Sequence, residues 1–226
     1  LNFNFTQKLE YNFYPTPHFI IEESSILEKE LNVSDIKKLS IYVSLNNLFS
    51  LKNIIIKDVI LENANFNLNK NNYNFFLKLL NKDFKDGNLL IKNSNIFFRN
   101  LLDEVLFISK ILKIKYYYQS KELKNFIYSE NEIFNMPFSM ETFFGENENE
   151  IYSKLNLDLI KLQIENELNL NNQEKKGKSE FIYNKLKRTV EYEFQKNYFK
   201  FHVFDKRVEP SITLKGKFNF KPFYAN

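Results

Sequence analysis

Apolar and polar residues alternate with a period of two along most of this chain. In 39–45 the apolar Leu39, Ile41, Val43 and Leu45 are interleaved with Ser40, Tyr42 and Ser44, the signature of a strand with one buried face. Ile54 to Leu68 is the longest strand signal, and its parity changes midway, from Val59 and Leu61 to Ala64, Phe66 and Leu68. A slip of one residue sends every later side chain to the opposite face, so a β-bulge near Glu62-Asn63 is predicted to keep one surface apolar. A second parity change, from Leu155, Leu157 and Leu159 to Ile160, Leu162 and Ile164, predicts a second bulge. Asn47 to Leu51 reads as a short connection, and the cleanest alternation runs from Ile212 through Leu214, Gly216 and Phe218 to Phe220.

One helix is predicted, over 72–84, where Tyr73, Phe76, Leu77, Leu80 and Phe84 recur at three- and four-residue spacing. Asn72 suits the N-cap, Lys82 and Lys85 suit the C-terminal end, and Gly87 suits a left-handed cap beyond it. So short a helix needs packing, and it should lie on the sheet or close one end of it. Ser25 and Glu28 fit a capping box for a single helical turn, whereas Leu31 and Val33 suit the return strand of a hairpin. Pro15 and Pro17 cannot donate to a ladder and mark a bend or an edge.

Turn signals at 145–150, 173–177, Asn197 and 205–210 recur through the second half, which favours an antiparallel meander. The predicted fold is therefore mainly β: a single domain over 1–226 built on a long antiparallel, curled sheet, an open barrel-like form with an apolar groove. One helix cannot bury so much apolar surface. The sheet must roll up, pair with another sheet or hold a ligand.

Composition narrows the chemistry. The 226 residues include 25 Phe, 13 Tyr, 4 Gly and no Cys or Trp, and Asn is abundant in the manner of an A/T-rich coding sequence. Without cysteine there is neither a disulfide scaffold nor a thiolate metal site. The net charge of +4 is spread over the chain instead of being concentrated as in a nucleic-acid binder. His18 and His202 belong to no metal-ligand spacing, and Glu22-Glu23 lie on adjacent strand positions that face opposite ways. The run from Gly145 to Glu150 reads as a solvated loop, and no Gly-rich phosphate loop exists. Lys175, Lys176, Lys178, Lys185, Lys187 and Arg188 alternate with aromatic positions, so they belong to the wet face of a sheet. No catalytic residue, metal site, cofactor or nucleic-acid partner is expected. No stretch reaches 18 consecutive apolar residues. The start at Leu1 and the stop in mid-pattern suggest a piece of a longer chain, with room for an upstream signal or anchor.

Phe13-Tyr14-Pro15-Thr16-Pro17 before a strand, then Leu39 to Phe49, then Ile54 to Leu68, resembles the start of the AsmA-like family just after its membrane anchor. The run from Gly87 to Arg99 is similar to a hairpin that follows a short helix in that family, and Asn135 to Met140 and Gly216 to Phe223 resemble later strands. The resemblance implies a bridge-like lipid carrier of a Gram-negative envelope: periplasmic, tethered to the inner membrane by an upstream anchor, and shielding phospholipid acyl chains between inner and outer membrane. It supplies no catalytic positions. The pattern nominates Ile41, Val43, Val59, Leu61, Phe66, Leu214, Phe218 and Phe220 as groove-facing. The alternative is a structural β domain of an envelope assembly whose apolar face is closed by a protein partner.

Overall fold

The computed structural model describes residues 2–5, 8–28, 31–45, 54–147, 149–170, 175–195, 197–204, 213–220 and 223–225. The chain is mainly β, in a mixed sheet that does not close. Its strands are β1 (Asn2–Phe5), β2 (Glu10–Asn12), β3 (His18–Glu28), β4 (Leu31–Val43), β5 (Ile56–Leu68), β6 (Asn88–Arg99), β7 (Val105–Gln119) and β8 (Lys124–Ile133), then β9 (Met136–Phe144), β10 (Glu150–Leu157), β11 (Leu162–Asn169), β12 (Lys175–Tyr183), β13 (Leu186–Phe194), β14 (Tyr198–Phe204), β15 (Leu214–Phe220) and β16 (Phe223–Ala225). Hydrogen-bonded order follows the chain, except that β2 sits on β3 beside β1. Two compact units divide it, residues 1–137 and 138–226.

In unit 1 one pair departs from the expected antiparallel pattern: β5 and β6 run parallel, with Asp58 opposite Asn88 and Phe66 opposite Ile96. Parallel neighbours need a crossover, and residues 69–87 supply it. The predicted helix shrinks there to the single turn α1 (Phe75–Leu79), preceded by turns over 70–74. Asn72 is no N-cap. Its side chain accepts from the Asn69 amide at 2.7 Å and donates to the Asn67 carbonyl at 2.9 Å, stapling the crossover to the end of β5. Gly87 does not take a positive φ either. Glycine is required because a Cβ there would lie 2.1 Å from the Lys57 carbonyl oxygen. Ser25 to Glu28 continue β3, so the hairpin reading of that stretch is the one realised.

The parity change predicted at Glu62-Asn63 is present in a different form. Asn63 has φ 54°, and Glu23 on β3 and Asn93 on β6 each have φ 48°. The register lines them up. Glu22 faces Lys38, Lys38 faces Glu62 and Glu62 faces Lys92 on one side of the line; Ser24 faces Ile36 and Ile36 faces Ala64 on the other. The line ends on β7 as a bulge against β8 between Ile111 and Lys113. Parity therefore flips in step across β3 to β7, and the same face stays inward on both sides. At the line the ladder is mended by a side chain: Ser94 Oγ accepts from the Ala64 amide at 2.9 Å and donates to the Lys92 carbonyl at 2.7 Å.

That inward face is closed by the crossover. Phe75 and Phe76 pack on Phe66 with ring centroids 6.0 and 5.1 Å away, and Phe84 stacks on Tyr116 at 5.6 Å. Tyr116 donates its hydroxyl to the Phe76 carbonyl at 2.8 Å, and burial pushes its phenol pKa well above the usual value. Asn125 donates to the carbonyls of Leu80 and Lys82. Leu39, Leu61, Phe66 and Ile91 are consequently buried, each enclosed side chain contributing about 1.5–3 kcal/mol. The opposite face is polar, with Lys38 bridging Glu62 at 3.4 Å and Asn95 donating to Asn65 at 3.0 Å.

Unit 2 is an antiparallel meander with short turns. Asn184 and Lys185, both at positive φ, make a two-residue hairpin closed by Tyr183 opposite Leu186, the geometry that matches strand twist. The predicted second bulge is instead a turn. After β10 a 3-10 turn at Asp158–Ile160 and a left-handed Lys161 reverse the chain into β11. Lys175 to Gly177, expected in a turn, belong to β12. Asn47 to Leu51, Gln173, Asp205 to Pro210 and Ile212 lie outside the described residues.

Candidate functional site: the open apolar face of unit 2

Strand register sorts the side chains of unit 2 into two faces. Glu141, Lys154, Glu165 and Glu180 form one transverse row, and Glu167, Lys178, Glu191, His202 and Lys215 another on the same side. Lys154 pairs with Glu165 at 3.7 Å, and Glu180 is held by Lys187 and by Lys178. Hydrogen bonding from Lys187 is the main reason that the Glu180 pKa falls below the ordinary carboxylate value, with burial working the other way. Lys200 and Lys217 both lie over the Tyr198 ring, 4.9 and 4.4 Å from its centroid.

The other face is mainly apolar, although Lys175, opposite Phe194, and Arg188, opposite Phe181, also lie on it, where the alternation predicts the wet face for both. Met140, Leu155, Ile164 and Phe181 make one row; Phe144, Ile151, Leu168, Gly177, Tyr192, Phe201 and Gly216 make the next. Phe194, Phe199 and Phe218 follow on that side, and the aromatic rings touch: Phe194 to Phe199 at 4.6 Å, Phe199 to Phe218 at 6.3 Å, Phe201 to Phe218 at 5.6 Å. Of this apolar set only Ile151 is buried; Phe194 is 41% exposed and Leu214 57%. Among the described residues of unit 2 no helix or second layer covers it.

Gly177 has a specific part in this face. A Cβ on it would lie 2.3 Å from the Tyr192 ring. The bare backbone lets that ring lie across β12 and carry its hydroxyl to Asn166 Oδ1 on β11, at 2.5 Å. Burial raises the Tyr192 pKa.

The eight residues nominated from the pattern fall into two groups. Ile41, Val43, Val59, Leu61 and Phe66 share the inward face of unit 1, with Ile41 opposite Val59. Leu61 and Phe66 are sealed beneath the crossover, while Val59 lines a cavity of about 260 Å³ with Leu79, Phe84 and Leu89. Leu214 and Phe218 lie on the open face of unit 2; the side chain of Phe220 is outside the described residues. Tyr192, Phe199 and Phe201 belong with Phe218 and were not nominated, although their alternation was legible. Asn166 and Gly177 had no signal of their own.

His18 stacks on Tyr42 at 4.7 Å and contacts the Thr16 carbonyl, a structural role. Glu22 and Glu23 are both exposed, because the left-handed Glu23 breaks the alternation. Among the described residues no cluster of acidic or histidine side chains could hold a metal, and no helix is long and apolar enough to cross a membrane.

A β-sheet module with one charged face and one exposed apolar face is what these features define. No protein-family model matches the chain, and no curated protein matches it. The AsmA-like resemblance rests on the strand patterns that suggested it.

Proposed function

We propose that this chain is a non-enzymatic lipid-binding segment of a Gram-negative envelope, in which the apolar face of unit 2 shields phospholipid acyl chains in transit between inner and outer membrane. The observation that carries this reading is the touching, half-exposed ring cluster of Tyr192, Phe194, Phe199, Phe201 and Phe218 on a sheet whose other face is charged. Such a face gains about 25 cal/mol for each Å² of apolar area withdrawn from water. An acyl chain satisfies it without directional contacts, so binding along the tail is unspecific. The periplasmic setting and the inner-membrane tether are part of the proposal and come from the family resemblance.

Native mass spectrometry of the purified protein with bound lipid tests it. Phe218 and Lys217 are sequence neighbours on opposite faces. Phe218→Glu should cut lipid co-purification roughly ten- to a hundredfold, the equivalent of about 1.5–3 kcal/mol of lost apolar contact, while Lys217→Glu should leave it nearly unchanged. Equal effects would refute the assignment of the face, and lipid-free protein carrying a stable protein partner would favour the structural-domain alternative.

A further inference from the structure

We propose that Asn166 is the docking point for an ester carbonyl of the bound lipid. This rests on the lipid reading above and adds a position and a chemical group to it. Thr142, Ser153, Asn166 and Ser179 face one another in a single row across β9, β10, β11 and β12, on the apolar side of unit 2. The row continues over β13 to β15 as Val190, Val203 and Leu214. A polar half-row is thus set into a mainly apolar face.

Its internal bonds leave the Asn166 amide with donors to spare. Thr142 Oγ1 donates to Ser153 Oγ at 3.2 Å. Asn166 Oδ1 accepts twice, from Ser179 Oγ at 2.7 Å and from the Tyr192 hydroxyl at 2.5 Å. With Oδ1 placed on these two hydroxyls, Nδ2 points away from them and carries the free donors. It has no partner among the described residues. Asn166 is half-buried, and within β9 to β12 the flanking rows, that of Ile164 and that of Leu168, are free of charged residues.

A plain hydrocarbon lying on those rows would strip water from Nδ2 and return nothing, which costs about 1–3 kcal/mol for an unsatisfied donor. An acyl ester avoids that cost. Its chain lies on the apolar rows while its carbonyl oxygen accepts from Nδ2, and being neutral it needs no counter-charge. The cations on this face, Arg188 opposite Phe181 and Lys175 opposite Phe194, stand on other rows than that of Asn166, so the neutral ester is the group matched to Nδ2, and an anion would be drawn to them instead.

Two probes isolate the carbonyl: 1-palmitoyl-lysophosphatidylcholine, and its 1-O-hexadecyl ether analogue, which keeps the glycerol, the free hydroxyl, the headgroup and the chain length and lacks only the carbonyl. Affinities are measured by titration below the micelle concentration. The wild-type protein should prefer the ester by roughly three- to tenfold, the worth of one net hydrogen bond. Asn166→Leu should bring the two affinities together by weakening the ester and sparing or strengthening the ether probe. Because Leu also strands the Ser179 and Tyr192 hydroxyls, Asn166→Asp is the companion variant. It keeps both accepted bonds, removes the donor, and should lose the ester preference too. Equal binding of both probes by the wild-type protein would overturn the docking point while leaving the lipid reading intact. A preference that survives in both variants would also overturn it. Binding of neither probe would remove the lipid reading and this inference together.

Discussion

The two units carry the same alternation and treat it oppositely. In unit 1 the apolar face is sealed, with Leu39, Phe66 and Ile91 fully buried; in unit 2 the corresponding face keeps its rings half in water. Connectivity explains the difference. A parallel pair such as β5 and β6 must send the chain back over one face of the sheet, and here the returning segment brings Phe75, Leu79 and Leu80 down onto it. Antiparallel strands joined by turns as short as Asn184-Lys185 have no residues to spare for a cover. Whether an apolar face is covered is decided here by the connection.

The largest effect should come from the core. Phe66→Ala should destabilise unit 1 by about 3–5 kcal/mol in urea unfolding, whereas Phe201→Ala should cost about 1–2 kcal/mol, since its ring is partly exposed. Similar losses at the two positions would break the contrast between sealed and open faces. A smaller effect should come from the left-handed line that holds the inward face of unit 1 together. Asn63→Val puts a β-branched side chain at φ 54° and should cost about 1–2 kcal/mol, while Asn63→Gly should be close to neutral. If both are equally mild, the line is dispensable.

The smallest effect concerns pH. The Glu180 pKa is lowered in the folded protein, chiefly by its bond from Lys187. The stability that this pair adds is complete above the unfolded carboxyl value of about 4.3 and is lost as pH falls through the lower, folded value. For a solvent-screened pair it should stay under about 1 kcal/mol. Glu180→Gln should flatten this acid slope, and amide exchange in β12 and β13 should accelerate on acidification before that in β5 and β6. Simultaneous acceleration would mean that the charged face contributes nothing particular to unit 2.

Much of this was legible in the residues. The parity change at Glu62-Asn63 marked the place where the backbone turns left-handed, and the alternation of Leu214 and Phe218 marked their common face. A stronger signal went unused: 58–68 and 88–98 share one pattern at an offset of thirty, with Asn63 over Asn93 and Asn65 over Asn95, and that is the register of the parallel pair. The abundance of Asn also carried structure. Asn63, Asn93, Asn135 and Asn184 hold positive φ in a chain whose described glycines never do, since Asn tolerates that conformation better than most side chains. The second parity change misled because a hairpin turn and a bulge disturb the alternation in the same way.

Periodicity is a local property, so the sequence by itself determined the strands, the side of each strand that is apolar and the points where that side changes. Covering is a long-range property. Only the tertiary structure decided that residues 69–87 close one face, that nothing described closes the other, and that Tyr192 reaches Asn166 across Gly177. Those outcomes depend on which strands become neighbours and in what register, which alternation with a period of two leaves open.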